Sequence, residues 1–112
     1  MICPSQAFCE SAEEFLAGCR TIAEARVSGE QVVIPPTSDA AQCWGAFVVL
    51  QDNSRLVDSS GGRIFGACVP QEAKRTELIA VFVRYVQQHP ESRHDDFVIV
   101  ALNALRKTYP CK

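Results

Sequence analysis

Apolar positions recur at helical spacing in four separate stretches of the chain. Phe15, Cys19, Ile22 and Ala23 fall at i, i+4, i+7 and i+8, behind Ser11-Ala12-Glu13-Glu14, which has the form of a capping box. With Gly29 as the stop, this predicts a helix over 11–28. Cys43, Phe47 and Leu50 follow a second capping segment, Asp39-Ala40-Ala41-Gln42, and predict a helix over 40–52 with Val57 as its far limit. Leu78, Val81, Phe82, Tyr85 and Val86 give the strongest periodicity, approached through Pro70 and closed before Pro90, for a helix over 71–88. A last helix over 93–108 has Asp95 and Asp96 in its first turn, Arg106 and Lys107 in its last, and two apolar stripes between them.

These segments predict an all-α fold, a compact bundle of about four helices over 11–112 preceded by an N-terminal segment over 1–10. The competing α+β reading takes Val32–Ile34, Ala46–Leu50 and Phe97–Val100 as strands. Two of those runs lie inside capped segments with helical spacing and lack alternation, and Pro35-Pro36 ends the third at once. The last two helices are apolar over more than one narrow face, with Ile79 and Val83 widening the third. A central place in the bundle and a subunit interface both account for that.

Composition narrows the function classes. The charged share is 21%, and eleven basic residues against thirteen acidic leave a formal charge of −2. No block of like charge offers a nucleic-acid footprint, and no apolar run approaches a membrane span. The six cysteines lack any C-x-x-C pair, so zinc-ribbon and thioredoxin-like motifs are absent and a disulfide framework in an oxidising compartment remains. Six cysteines allow 15 pairings, and spacing does not choose among them. Met1–Ser5 has neither the basic nor the apolar region of a signal peptide, so an exported protein would be read here as its mature chain; the alternative is a cytosolic protein with six buried thiols.

The candidate chemistry is thin. Gln42-Cys43-Trp44 with His89, His94 and Asn103 follows the order of a papain-like protease, but the histidines come only about 50 residues on and no sheet is available to hold them. His89, His94, Asp95 and Asp96 are metal-ligand types at the wrong spacing for one helix face. Gly61-Gly62-Arg63-Ile64-Phe65-Gly66 lacks the lysine and hydroxyl of a phosphate loop and reads as a flexible loop. The sequence therefore predicts no catalytic residue, no metal and no cofactor.

The order of motifs in the C-terminal half is more specific. Cys68-Val69-Pro70 opens the third helix, Tyr85-Val86-Gln87-Gln88-His89-Pro90-Glu91 closes it, and Ala101-Leu102 through Tyr109-Pro110-Cys111 ends the chain. Together with Phe15-Leu16 to Cys19 and Cys43-Trp44-Gly45-Ala46-Phe47, this resembles the Rap/Tai family of type VI secretion immunity proteins. The resemblance implies a small periplasmic helical domain, homodimeric, that blocks a peptidoglycan amidase effector by placing a loop in its cleft. It implies pairing of Cys19 with Cys43 and Cys68 with Cys111, which leaves Cys3 and Cys9 to pair with each other or to reach another chain. The polar segment between the second and third helices best suits the blocking role: Asp52, Asn53, Ser54, Arg55, Asp58, Ser59, Ser60, Gly61, Gly62 and Arg63 are the expected partner-binding residues. Arg55 and Arg63, with Phe65 beside them, are the expected hot spots. The alternative is a periplasmic helical binding or envelope-stress module with no toxin partner; neither reading calls for nucleic acid or membrane insertion.

Overall fold

In the computed structural model, residues 10–27, 35 and 37–112 are described. They form four α-helices: α1 (Ala12–Val27), α2 (Ser38–Asn53), α3 (Arg75–Gln88) and α4 (Phe97–Thr108), with a 3-10 turn over Pro90–His94. Strand-like pairing among these residues is confined to isolated bridges, so the all-α reading holds. The expected connector over Val32–Ile34, the stop at Gly29 and the pair Cys3–Cys9 fall outside the described residues.

Local chemistry sets the helix ends. At α1 the Ser11 N–H donates to the Glu14 carboxylate at 2.8 Å, one arm of the expected capping box. The α2 cap is Thr37 and not Asp39: the Thr37 hydroxyl accepts from the Ala40 N–H, and Asp39 instead lies in the first turn, where its charge suits the helix dipole. The third helix starts four residues later than its pattern predicts. Pro70 opens a turn closed by Ala73 N–H to Pro70 O, and the Gln51 amide holds the Ala73 carbonyl outside the helix. The last helix is also shorter than 93–108, because Pro90 starts a separate 3-10 turn. Its first N–H is taken up across the bundle, Phe97 N–H donating to Glu10 O while Ala12 N–H donates to Asp95 O. This short pairing joins the starts of α1 and α4.

The wide apolar faces of the last two helices have different surroundings. The third helix packs against the other three, and its Leu78 through Val83 and Val86 are all buried. It is central. The fourth buries Phe97, Val100, Ala101, Ala104 and Leu105 yet leaves Val98 and Ile99 exposed. The core centres on Phe97, stacked on Phe15 at 3.9 Å and edge-on to Phe47 and Phe82. Disulfides Cys19–Cys43 and Cys68–Cys111 staple α1 to α2 and the approach to α3 to the chain end. With sequence separations of 24 and 43, each contributes about 3–4 kcal/mol on the chain-entropy account.

The first disulfide needs α1 and α2 to approach closely, and Gly18 permits it. A Cβ at Gly18 would collide with the Asp39 carbonyl at the start of α2, which is backbone and cannot turn aside. Gly18→Ala is therefore expected to destabilise the fold by at least about 2 kcal/mol, despite alanine's better helix propensity. A denaturant midpoint equal to or above that of the parent protein would contradict this.

Candidate functional site

Between α2 and α3 the chain projects as an ordered β-hairpin and not as the flexible loop its composition predicts. Asp58 N–H donates to Gly62 O, Ile64 N–H to Leu56 O, and Gly61 N–H closes a turn onto Asp58 O, all at 2.8–3.0 Å. Val57 lies opposite Arg63. The three-residue connection Ser59-Ser60-Gly61 ends in a left-handed residue, which Gly61 supplies at φ 87° without strain.

The tip is organised by one carboxylate. Asp58 Oδ1 accepts from the Ser60 hydroxyl at 2.7 Å, the Ser60 N–H at 2.9 Å and the Gly62 N–H at 3.0 Å. These donors, the Ser60 hydroxyl foremost, hold its pKa below the ordinary carboxylate value. A group with a depressed folded pKa contributes above its unfolded pKa, and the contribution is lost as pH falls through the folded one. The tip is therefore expected to keep its shape at neutral pH and to loosen only below the usual carboxylate range. Asp58→Asn should speed amide exchange at Ser60 and Gly62 while the melting temperature stays put. Unchanged exchange at both amides would refute this.

Both feet of the hairpin are fixed. On one side Ser54 ends α2, buried, with its hydroxyl donating to Gln51 O at 2.7 Å, while Arg63 donates to the Ser54 carbonyl at 3.0 Å. On the other, Arg106 of α4 donates to Phe65 O at 2.6 Å, Cys68 N–H donates to Tyr109 O, and the Cys68–Cys111 bridge follows. Below this, Arg75 lies 4.9 Å over the Trp44 ring and donates to Gln51, and the Tyr109 hydroxyl donates to Glu77. The hairpin is thus built as a supported protrusion.

This geometry divides the expected partner-binding residues. Arg55, Asp58, Ser59, Ser60, Gly61 and Gly62 are exposed on the hairpin, and Asp52 is exposed on the last turn of α2. Ser54 is corrected: it is 1% exposed and its side chain serves the end of α2. Asn53 is half-buried, its amide donating to Val49 O, and Arg63 is half-buried against Ser54, so both have internal work. The polar criterion passed over Leu56, Val57 and Ile64, which are 49%, 53% and 54% exposed. Leu56 and Ile64 are cross-strand partners on one face and Val57 lies on the other, with Val49 of α2 also open. The available signal was Leu56-Val57 and Ile64 flanking a Ser-Gly-Gly turn, a hairpin pattern.

The other candidate constellations do not assemble. Cys43 is held in its disulfide and presents no thiolate, while His89 stacks on Tyr85 with Nδ1 3.0 Å from the Tyr85 carbonyl oxygen. Among the described residues no group of three or more His, Cys, Asp or Glu side chains is placed to hold a metal ion, and no helix is long and apolar enough to cross a membrane.

A family model described as Rap1a immunity proteins matches residues 35–111, a span that includes the whole hairpin, α3, α4 and the Cys68–Cys111 bridge. Neither the curated proteins nor the solved structures yielded a match. That span is more than half of the chain, and the chain belongs to the Rap1a immunity protein family, which implies an immunity protein against a type VI secretion effector.

Proposed function

We propose that the protein is a periplasmic inhibitor of a peptidoglycan amidase effector, and that it acts by seating the Leu56–Ile64 hairpin in the enzyme's cleft. The observation that carries this reading is the hairpin itself, hydrogen-bonded across its strands, anchored at both feet and bearing exposed aliphatic side chains. An ordered protrusion loses little conformational entropy on docking, and apolar side chains open to water before binding are buried after it. Inhibition on this account is steric and requires no chemistry from the immunity protein. The two disulfides support an oxidising compartment, hence the periplasm. The exposed Val98 and Ile99 of α4 lie outside the hairpin and supply apolar surface for a second copy, which supports a homodimer.

The test is protection of living cells. A candidate amidase effector from the source organism is exported to the periplasm of a host, with and without this protein, and lysis is followed by turbidity. Rescue is expected with the cognate effector. Undiminished lysis by every amidase effector of that organism, with folded protein present, would overturn the reading in favour of a binding module without a toxin partner.

A further inference from the structure

A second surface lies on the helices away from the hairpin. The middle of α1 and the C-terminal half of α3 border a shallow cleft of about 210 Å³. Its floor is the buried Ala23, Ala80 and Val83, and its rim carries the exposed Arg20, Arg84 and Gln87, with Glu24 among them. A second hollow of about 190 Å³ shares Arg20 and Gln87 and adds Arg93 from the 3-10 turn, so the two form one groove. Three guanidinium groups against one carboxylate make it cationic on a chain whose formal charge is −2. Among the described residues the Arg20 and Arg84 side chains make no hydrogen bond or ion pair, and the Arg93 side chain uses one N–H on Pro90 O.

We infer that this groove docks an acidic segment of a partner protein, with carboxylates on Arg20, Arg84 and Arg93 and an apolar side chain laid over Ala80 and Val83. Guanidinium forks pair with carboxylates bidentately, and unengaged arginines over a small apolar floor meet both halves of such a segment. Other occupants fit less well. The groove is shallow and open to solvent, whereas a small-molecule pocket buries most of its ligand. Three cations interrupted by Glu24 make a poor track for a phosphate backbone. A membrane surface would call for large exposed apolar side chains beside the arginines, and those among the described residues are on α2, the hairpin and α4. The inference stands apart from the amidase reading, since it uses no residue of the hairpin.

The probe is a fluorescein-labelled hexapeptide of alternating glutamate and leucine, titrated against the full chain at low salt by anisotropy and by amide chemical shifts. The expected result is saturable binding with shifts over 16–24 and 80–93 and none over 54–66. Arg20→Glu with Arg84→Glu should weaken binding at least tenfold with an unchanged circular dichroism spectrum, and Arg20→Lys with Arg84→Lys should weaken it a few-fold. Absence of shifts in the groove, equal binding of a lysine–leucine hexapeptide, or undiminished binding by the charge-reversed variant would overturn the inference. Capture by phosphatidylglycerol vesicles without peptide binding would overturn it too, and would assign the groove to a membrane surface.

Discussion

Replacing Val57 and Ile64 with aspartate is expected to weaken effector binding by at least a hundredfold while leaving the melting temperature within about 2 °C. Both side chains are more than half exposed in the free protein, so the fold gains little from them and loses little with them. Docking of the hairpin as proposed would bury them, and each substitution would then remove an apolar contact and place a carboxylate in a desolvated site. Two such losses of roughly 1.5 kcal/mol or more each give the hundredfold figure. Isothermal titration against the cognate effector measures it. Binding within threefold of the parent protein would show that the hairpin's aliphatic residues are not the docking surface. Arg55→Ala, by contrast, is expected to change affinity modestly, because an exposed arginine at the hairpin's edge keeps its water.

The second large effect is on the fold. Phe97→Ala should destabilise the protein by about 3–5 kcal/mol. Phe97 is 3% exposed and makes ring contacts with Phe15 of α1, Phe47 of α2 and Phe82 of α3, so its removal opens a cavity where all four helices meet. Its backbone N–H also joins the start of α4 to Glu10, a bond that the alanine variant keeps. The loss is thus one of packing. Equilibrium denaturation with both disulfides intact reads it, and a loss under 1.5 kcal/mol would mean that neighbouring side chains refill the space.

The helices were legible because their signals are local. Phe15 to Ala23 and Leu78 to Val86 carry the 3.6-residue period in their own sequence, and the disulfide pairing entered through the spacing of family motifs around Cys19, Cys43, Cys68 and Cys111. Where the boundaries moved, something outside the local pattern decided them. Thr37 lies ahead of Asp39 and takes the cap, while Gln51 reaches over 22 residues to hold Ala73 out of α3. Pro90 diverts the chain into a 3-10 turn before α4.

The hairpin was legible in position and less so in character. The polar, glycine-containing stretch from Asp52 to Arg63 marked where the chain leaves the bundle. Its pairing depends on the Asp58 carboxylate finding Ser60 and Gly62, and its rigidity on Arg106, more than 40 residues away, holding Phe65. Neither contact has a sequence period. Selecting polar residues also favoured Ser54, which is buried, over Ile64, which is open. In an interface the exposed apolar residue is the more informative one.

If inhibition resides in the hairpin, removing the hairpin abolishes it. Turnover of a peptidoglycan fragment by the purified cognate amidase is titrated with this protein and with a variant in which residues 55–63 are shortened to a Gly-Ser bridge. Complete inhibition is expected at one equivalent of the parent protein and full turnover at any concentration of the shortened variant, whose helicity and disulfides are unchanged. Equal inhibition by the shortened variant would contradict it and place the blocking surface on the helices.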